Sequence, residues 1–258
     1  RETNKNVVVT SEVIGDIKEI LKRLTPMLEP MDHREWKEEI AELSMKYPMS
    51  YNDEGLSGPF VVEELYRQTG GDATVVTEVG QHQMWAAQYY RYKRTRQLLT
   101  SGGLGTMGYG LGAAIGAQIG NPDAQVVNIA GGGCFRMNMN ELATAVREKL
   151  PLVEIIVNNH VLGMVRQWQD LFYQKRYSAT VLDDGMDYVK LAEAMGAKGL
   201  RATTREEFAA ALKEALASKM PVVIDCIINC DDKVWPMVAP GTPISDCFSG
   251  EDLKAKAQ

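Results

Sequence analysis

The stretch Val126-Val-Asn-Ile-Ala-Gly-Gly-Gly-Cys134, followed further along the chain by Val153-Glu-Ile-Ile-Val-Asn-Asn159, decides the fold. Each segment is an apolar run that ends in glycines or amides, and the interval between them has room for a helix. Strands that are apolar throughout and separated by helices are typical of a parallel sheet covered on both faces. The sequence therefore predicts an α/β fold: a three-layer, doubly wound parallel sheet with helices on both faces.

The same alternation of strand and helix continues on both sides of this stretch. Apolar and β-branched runs predict further strands at 73–77 and 222–228. Helical spacing and end signals predict helices at 60–68, 138–149 and 188–195, after the Gly- and Ala-rich turn at 102–116, and after the capping pair Thr204 and Glu207. Right-handed crossovers place the strand-to-helix loops at one edge of such a sheet, so we expect a ligand there.

The first 50 residues follow a different pattern. The apolar run at 7–9 predicts a short piece of strand, and two charged helices follow, the second starting at a capping-box-like pair, Asp32 and Glu35. Such elements bury little surface by themselves. We therefore predict three segments: the end of a preceding domain with a linker at 1–55, the α/β domain at 56–234, and a C-terminal tail at 235–258.

The composition narrows the class of protein. With 258 residues, 45% hydrophobic and 24% charged, the chain resembles an ordinary globular protein. It has no run of 18 apolar residues, which argues against a membrane span, and its first residues lack the apolar core of a signal peptide. The net charge of −6 argues against a nucleic-acid partner. A small anionic ligand is compatible with it, because backbone dipoles can bind phosphate on an acidic protein.

The cysteines and histidines give no sign of a metal cluster. No two cysteines form a CxxC pair, and the chain has only three histidines, which argues against a zinc site or a disulfide framework. We expect the cysteines to be reduced core residues and the protein to be cytoplasmic: Cys134, Cys226, Cys230 and Cys247.

Three loops at the ends of predicted strands are candidates for chemistry, namely 78–85, 100–112 and 129–135. A strand, a run of glycines and then a helix presents backbone N–H groups to phosphate. The alternative, tight turns and close helix packing, is about as probable for any single loop. Neither glycine-rich loop, 100–112 or 129–135, has the lysine of a P-loop or the complete dinucleotide fingerprint. Two such loops in one domain favour a phosphate-bearing cofactor.

Asn158 and Asn159 end the strand that follows the triple glycine, so both features are expected at the same sheet edge. Amide oxygens can bind a hard dication, and this arrangement suggests a diphosphate bridged by Mg²⁺. A simple turn at the two asparagines is the alternative, and it is the commoner use of this pair.

Several motifs together resemble the catalytic (large) subunit of bacterial acetolactate synthase, also called acetohydroxyacid synthase. They are Glu-Val-Gly-Gln-His-Gln-Met-Trp at 78–85, Ser-Gly-Gly-Leu-Gly-Thr-Met-Gly at 101–108, Asn-Glu-Leu-Ala-Thr-Ala at 140–145, Leu-Gly-Met-Val-Arg-Gln-Trp at 162–168, and Pro-Met-Val-Ala-Pro-Gly at 236–241. The resemblance extends from about residue 15 to the tail. It implies the C-terminal domain that binds thiamine diphosphate, with residues 1–50 ending the middle domain of that family.

The resemblance implies a role for individual residues. Met107 would bend the cofactor, while Asn159 and the backbone carbonyl of Val161 would bind Mg²⁺. Trp168 would shape the pocket for the acceptor substrate, although Met164 and Trp168 also fit two core side chains spaced i and i+4 on a helix. The implied cofactor site comprises Gly80, Gln81, His82, Gly105, Met107, Gly131, Gly132, Gly133, Cys134, Asn159, Gly163 and Met164.

Two departures from the family pattern matter. The family's metal motif is Gly-Asp-Gly, whereas this sequence has Gly132 at the central position, so the carboxylate ligand is missing. Losses around a metal weaken its binding by ~10–100-fold, and the loss of a charged ligand is expected to do at least as much. In this family, the glutamate that activates the cofactor belongs to another domain of a neighbouring subunit, and the resemblance implies the same here. We therefore expect no catalytic side chain in this chain, which alone would be inactive.

The implied parent reaction is a thiamine diphosphate- and Mg²⁺-dependent transfer of an acetaldehyde unit. It joins pyruvate to a second pyruvate or to 2-ketobutyrate in branched-chain amino-acid biosynthesis. FAD would bind mostly outside this chain, and a homodimer or tetramer with a small regulatory subunit is expected. Two alternatives stay open: another thiamine diphosphate enzyme of the pyruvate oxidase or 2-ketoacid decarboxylase type, and a degenerate, non-catalytic homologue.

Overall fold

A computed structural model describes residues 2–51, 54–182 and 185–256 of the chain. The backbone divides into two compact units, Arg1–Ser50 and Tyr51–Gln258. The larger unit carries the sheet and the candidate site, and the smaller one is helical.

The larger unit is built on a six-stranded sheet in which every pairing is parallel. The strands are β1 (Thr74–Thr77), β2 (Leu98–Thr100), β3 (Val126–Gly131), β4 (Val153–Asn158), β5 (Lys198–Ala202) and β6 (Val222–Ile227), in the spatial order β2-β1-β3-β4-β6-β5. This confirms the predicted α/β fold with a doubly wound parallel sheet.

The sequence analysis missed the two strands at the edges of this sheet, β2 and β5. The residues of β2 are half-buried, and β5 has only Ala202 buried and contains lysine, glycine and arginine. An edge strand is not buried on both faces, so it lacks the continuous apolar run that reveals a central strand.

Helices cover the sheet and connect its strands. Those of the larger unit are α3 (Gly58–Thr69), α4 (Gln81–Tyr89), α5 (Gly110–Gly120), α6 (Gly132–Asn138), α7 (Leu142–Arg147), α8 (Gly163–Phe172), α9 (Tyr188–Ala194), α10 (Arg205–Ala217) and α11 (Gly250–Lys256). The predicted Thr204–Glu207 capping box at the start of α10 is present. Of the helices that the structure describes, none is long and apolar enough to cross a membrane.

The triple glycine differs from the expected loop. Strand β3 continues to Gly131 and helix α6 begins at Gly132, so no loop separates them. The helix predicted at 138–149 is also wrong in extent: Asn138 leaves helical geometry, a 3₁₀ turn follows at Met139–Glu141, and α7 begins only at Leu142. The Asn138 side chain donates to the carbonyl of Gly108, which stabilises the break.

The smaller unit contains α1 (Ile17–Leu24), a 3₁₀ turn at Thr25–Met27 and α2 (Arg34–Lys46). Neither α-helix buries any of its residues. The predicted strand at 7–9 is wrong, since three apolar residues without a pairing strand cannot satisfy their backbone groups. The predicted capping box is wrong as well, because Asp32 accepts from the Arg34 amide two residues on.

Apolar side chains pack on both faces of the sheet. Along β4, Ile155 and Val157 contribute to one core cluster, with Trp85 and Phe208, while Ile156 contributes to the other. This alternation is the packing of a sheet covered on both sides.

The four cysteines are free thiols. Cys134 and Cys226 are buried as expected, but Cys230 is half-buried and Cys247 is exposed. The prediction of core positions is therefore correct for two of them and wrong for the other two, which lie after β6 in the irregular C-terminal segment.

A carboxyl group interrupts the apolar centre of the sheet. Glu154 on β4 is fully buried and accepts from the Asn128 amide at 2.9 and 2.8 Å. Burial raises its pKa well above the ordinary value, with a further contribution from Glu78. The Oδ1 atom of Asn128 is buried without a partner among the described residues.

We expect Glu154→Gln to stabilise the protein at pH 8 by about 1–3 kcal/mol, because the buried carboxyl must there either carry a charge or bind a proton on folding. A carboxyl whose folded pKa is raised loses stability as the pH rises above 4.5. The gain over the parent chain should therefore shrink toward pH 4. Denaturant unfolding at both pH values measures it, with the exposed Glu193→Gln as control. An equal gain at both pH values would contradict the titration argument.

Candidate functional site

The candidate site lies where the direction of the sheet connections reverses. The chain passes from β1 to β2 on one side and then to β3 on the other, so the carboxyl ends of β1 and β3 border a crevice. Ligands of open α/β sheets bind at such a switch point. Here the imidazole of His82, from α4, lies against the end of β3. A Cβ atom at Gly131 would come within 3.0 Å of that ring.

A cavity of about 230 Å³ opens at this point. It is lined by all but one of the predicted cofactor residues: Gly80, Gln81, His82, Gly105, Met107, Gly131, Gly133, Cys134, Asn159, Gly163 and Met164. Gly132 is the exception and does not line the cavity. Val161, one of the predicted metal ligands, is also in the wall.

Sequence reasoning missed other residues of the wall, which are Val79, Trp85, Val157, Leu162 and Val165. Each one adjoins or lies inside a quoted motif, but apolar side chains beside a glycine carry no signal that separates a cavity wall from a core. Only the packing of α4 and α8 around the crevice shows that these residues line a cavity rather than the core.

Glu78 fixes the loop that carries Met107. Its carboxylate accepts from the backbone N–H groups of Gly108 at 2.7 Å and Gly110 at 2.8 Å. Burial raises the pKa of this carboxyl, while the backbone hydrogen bonds oppose the shift. The sequence analysis quoted Glu78 without giving it a role, and the structure shows it as the residue that holds Met107 at the cavity.

His82 brings an uncharged ring to the cavity. The side chain is buried, and Nε2 has no hydrogen-bond partner among the residues that the structure describes. Burial lowers its pKa to about 3, so the imidazole is neutral at physiological pH. A buried ring nitrogen without a partner beside a cavity is suited to a polar ligand group.

We expect the neutral His82 to make the protein sensitive to acid. A histidine whose folded pKa is lowered from 6.5 to about 3 contributes stability that is lost as the pH falls through this window. The loss amounts to about 2 kcal/mol between pH 7 and pH 5. In His82→Gln the difference in unfolding free energy between these pH values should shrink by that amount, whereas the exposed His33→Gln should leave it unchanged. An unaltered difference in His82→Gln would contradict a neutral, buried ring.

A buried amide network closes one side of the cavity. Gln81 Nε2 donates to Gln167 Oε1 at 2.9 Å and to the Asp232 carbonyl at 2.7 Å, and Asn159 Nδ2 donates to Gln81 Oε1 at 3.2 Å. The network needs glycine at 163, because a Cβ there would lie 2.0 Å from Gln81 Oε1. Gln81 and Asn159 are therefore positioned by each other and by α8.

The two asparagines have different surroundings. Asn158 donates to Asp225 Oδ1 at 2.9 Å and accepts from the His160 amide, which makes it part of a turn. Asn159 accepts from the Val161 amide at 3.1 Å and lines the cavity. Both side chains thus accept from the amide two residues on, as in an Asx turn, and Asn159 also lines the cavity.

The carbonyl of Val161 is not used by the short bridge that Val161 forms with Val181. The backbone bonds of that bridge run from Leu182 to the His160 carbonyl and from Leu162 to the Thr180 carbonyl. Neutral oxygens are thus available beside the cavity. However, the described residues contain no group of three or more histidine, cysteine or acidic side chains that could hold a metal.

A second, larger cavity of about 710 Å³ adjoins the first. It is lined by Met164, Val165, Trp168, Gln169, Tyr173 and Arg176, of which Met164 and Val165 also line the first cavity. Met164 and Trp168 are half-buried; both line this cavity, and Met164 also packs against the core of the sheet. Trp168 packs edge-on against Phe172, with ring centroids 5.4 Å apart.

Comparison with known proteins identifies this arrangement. The family model described as thiamine pyrophosphate enzyme, C-terminal TPP binding domain, matches residues 78–226. The chain belongs to this family. The match spans both glycine-rich loops, the amide side chains of Gln81, Asn159 and Gln167, and most of β6, and it confirms the predicted thiamine diphosphate-binding domain.

Curated relatives carry the same domain. The chain is 44% identical over 255 residues to the acetolactate synthase large subunit IlvB1 of Mycobacterium tuberculosis, covering 93% of this chain and 41% of that protein. It is 41% identical over 234 residues to the acetolactate synthase isozyme 2 large subunit of Escherichia coli K12, covering 90% of this chain and 42% of that protein. The chain thus spans about two fifths of the length of these relatives.

Two solved structures of decarboxylases, one of them described as thiamine diphosphate-dependent, are similar to this chain. A 4-hydroxybenzoylformate decarboxylase of Rhodococcus jostii RHA1 is 29% identical with a TM-score of 0.63, over 71% of this chain and 34% of that one. A benzoylformate decarboxylase of Polynucleobacter necessarius is 26% identical with a TM-score of 0.65, over 72% and 36%.

The residues present fit the organic cofactor of this family, which is also called thiamine diphosphate. Glycines at 131 and 133 keep side chains out of the crevice, His82 offers a nitrogen without a partner, and Met107 supplies an apolar surface. They fit its metal poorly, because Asn159 and Val161 supply only neutral oxygens and Mg²⁺ usually relies on one or two carboxylates.

Proposed function

We propose that the chain is the diphosphate-binding part of an acetolactate synthase large subunit. The observation that carries this proposal is the pair of adjoining cavities, one matching the cofactor residues and the other containing Trp168. When bound, thiamine diphosphate supplies the carbanion chemistry by which a 2-ketoacid loses carbon dioxide and condenses with another.

The chain's own residues bind and orient the cofactor. Backbone groups around Gly131 and Gly133 and the neutral His82 ring would hold the diphosphate, and Met107 would support the ring system. Met164 and Val165 line both cavities, so they border the junction between the cofactor and the acceptor substrate. The role of the chain would be to orient the cofactor rather than to supply an acid or a base.

The proposal extends to the whole protein. The substrates are pyruvate and 2-ketobutyrate, and the activating glutamate comes from another domain of a second subunit, so the protein acts as a homodimer or tetramer. FAD binds mostly outside this chain, a small regulatory subunit associates with the enzyme, and the location is cytoplasmic. Mg²⁺ is held weakly, if Asn159 and the Val161 carbonyl are its only protein ligands.

Product analysis of the full-length protein tests this function. Incubation with pyruvate, thiamine diphosphate, FAD and millimolar Mg²⁺ should give acetolactate. Acetaldehyde would point to a 2-ketoacid decarboxylase and acetyl phosphate to a pyruvate oxidase, and either product would overturn the proposal. This chain alone should give no product under the same conditions.

A second candidate, a non-catalytic homologue, is favoured by one observation. The chain has Gly132 where the metal motif of the family has a carboxylate. In that case the full-length protein would bind no thiamine diphosphate at millimolar Mg²⁺, whereas an acetolactate synthase binds it and turns over.

Trp168 is expected to determine the acceptor substrate. Its ring lines the larger cavity beside Met164, so Trp168→Leu in the full-length enzyme should change the shape of the acceptor pocket. We expect the preference for 2-ketobutyrate over pyruvate to fall by about 10-fold, in line with what a hydrophobic contact contributes to discrimination. Competition between the two substrates measures the ratio. A ratio that stays constant while the total rate falls would contradict a role in specificity.

A further inference from the structure

The space beside Gly132 is taken by a buried tyrosine, Tyr188. A Cβ atom placed there would lie 2.6 Å from the hydroxyl oxygen of Tyr188, and 3.4 Å from the ring carbon that carries it. Contacts below 3.0 Å are not found for real Cβ atoms, so one of the two groups would have to move. The hydroxyl of Tyr188 therefore fills the space that any side chain at 132 would need.

Tyr188 is held firmly in this place. It is 1% exposed, and its ring packs edge-on against Phe135 with centroids 5.8 Å apart. It is also the first residue of α9, directly after Asp187, whose side chain caps that helix by accepting from Val189 and Lys190. A buried aromatic ring anchored by helix and core cannot swing aside at low cost.

A cation fixes the hydroxyl itself. Arg136, one turn after Gly132 on α6, donates from Nε to Tyr188 Oη at 2.8 Å, and its guanidinium lies 5.7 Å from the ring centroid. A hydrogen bond from a charged donor is stronger than one between neutral groups. Arg136 thus keeps the oxygen of Tyr188 next to residue 132.

We propose that Gly132, Tyr188 and Arg136 form a matched set in which the tyrosine hydroxyl excludes a side chain, and hence a metal-binding carboxylate, from position 132. Two residues therefore keep a charged metal ligand from this position: Gly132, which has no side chain, and Tyr188, which fills the adjoining space. Restoring aspartate at 132 is therefore not sufficient to rebuild the metal site, because Tyr188 must change as well.

Thermal unfolding of this chain tests the packing claim without any ligand. We expect Gly132→Ala to lower Tm by roughly 4–10 °C, since overpacking a buried site is costly for a protein of this size. In the Tyr188→Phe background the same substitution should lower Tm by less than half as much, because the hydroxyl is gone. Gly112→Ala on α5 is the matched control, since a Cβ there meets nothing within 4 Å. Equal losses from Gly132→Ala in both backgrounds would overturn the proposal.

A second readout separates exclusion of a metal ligand from simple packing. Calorimetric titration with thiamine diphosphate, with and without Mg²⁺, compares Gly132→Asp with Gly132→Asp/Tyr188→Phe. We expect Mg²⁺ to strengthen binding at least 10-fold more in the double variant than in the single one. Equal Mg²⁺ effects in the two variants would contradict the exclusion of the carboxylate. This readout rests on the proposed function, whereas the Tm comparison does not, so a failure of either is recognised separately.

Discussion

Replacing Glu78 with alanine is expected to lower the free energy of unfolding by about 3–5 kcal/mol. The carboxylate accepts from the buried N–H groups of Gly108 and Gly110, at 2.7 and 2.8 Å. Alanine would leave both donors without a partner, and each unsatisfied buried group costs about 1–3 kcal/mol. Because these bonds fix the loop that carries Met107, the cavity should lose its apolar wall as well as its stability.

Chemical denaturation measures the effect of Glu78→Ala, with the exposed Glu193→Ala as the matched control. Hydrogen exchange of the Gly108 and Gly110 amides distinguishes the cause. Fast exchange at these two positions, with protection kept elsewhere in the sheet, is the expected result. A loss below 1 kcal/mol, or protection unchanged at both amides, would contradict the assignment of Glu78 as the anchor of this loop.

Replacing Gly163 with alanine is the second large effect. A Cβ at 163 would lie 2.0 Å from Gln81 Oε1 and 2.6 Å from Asn159 Nδ2, inside the buried amide network. We expect a loss of about 3 kcal/mol or more, because the substitution both overpacks the site and separates hydrogen-bonded groups. Binding of thiamine diphosphate should weaken with it, since Asn159 faces the cavity.

Gly116→Ala is the control for Gly163→Ala. Gly116 lies on α5, and a Cβ there meets nothing within 4 Å, so alanine should be neutral or slightly stabilising. Unfolding curves of the two variants give the comparison. Similar stability of the Gly163→Ala and Gly116→Ala variants would show that the amide network around Gln81 rearranges at little cost. The structural argument for glycine at 163 would then be wrong.

The sequence predicted the central part of the fold because that part obeys simple rules. Strands β3, β4 and β6 are buried on both faces, so their sequences are mostly apolar and visible, although each contains one polar residue before its end, Asn128, Glu154 or Asp225. The edge strands β2 and β5 are partly exposed and gave no such pattern. Their position follows from crossovers that only the folded chain defines.

The site was predictable only as far as its motifs extend. The glycine-rich loops and Asn159 were located from sequence, and the fold brings them to one cavity. The contacts between distant segments were not predictable. The bonds that join Gln81 to Gln167 and Asp232 connect residues far apart in sequence, and no spacing rule announces them.

Gly132 shows the same limit more sharply. The sequence indicates that a carboxylate is missing, but not what occupies its place. The structure supplies the answer in Tyr188, which begins a helix more than 50 residues further along the chain and carries a hydroxyl at the end of its ring. Tyr188 lies next to position 132 because of the way α9 packs against the sheet.

The central claim is that the crevice between β1 and β3 binds thiamine diphosphate without a charged metal ligand from the protein. The most direct test is an NMR titration of this chain with millimolar thiamine diphosphate, followed through its backbone amides with and without Mg²⁺. The account predicts shifts at Gly80, His82, Gly131 and Gly133, with an affinity that Mg²⁺ changes by less than about 10-fold. Shifts confined to another surface, no shifts at all, or binding that appears only with Mg²⁺ would contradict it.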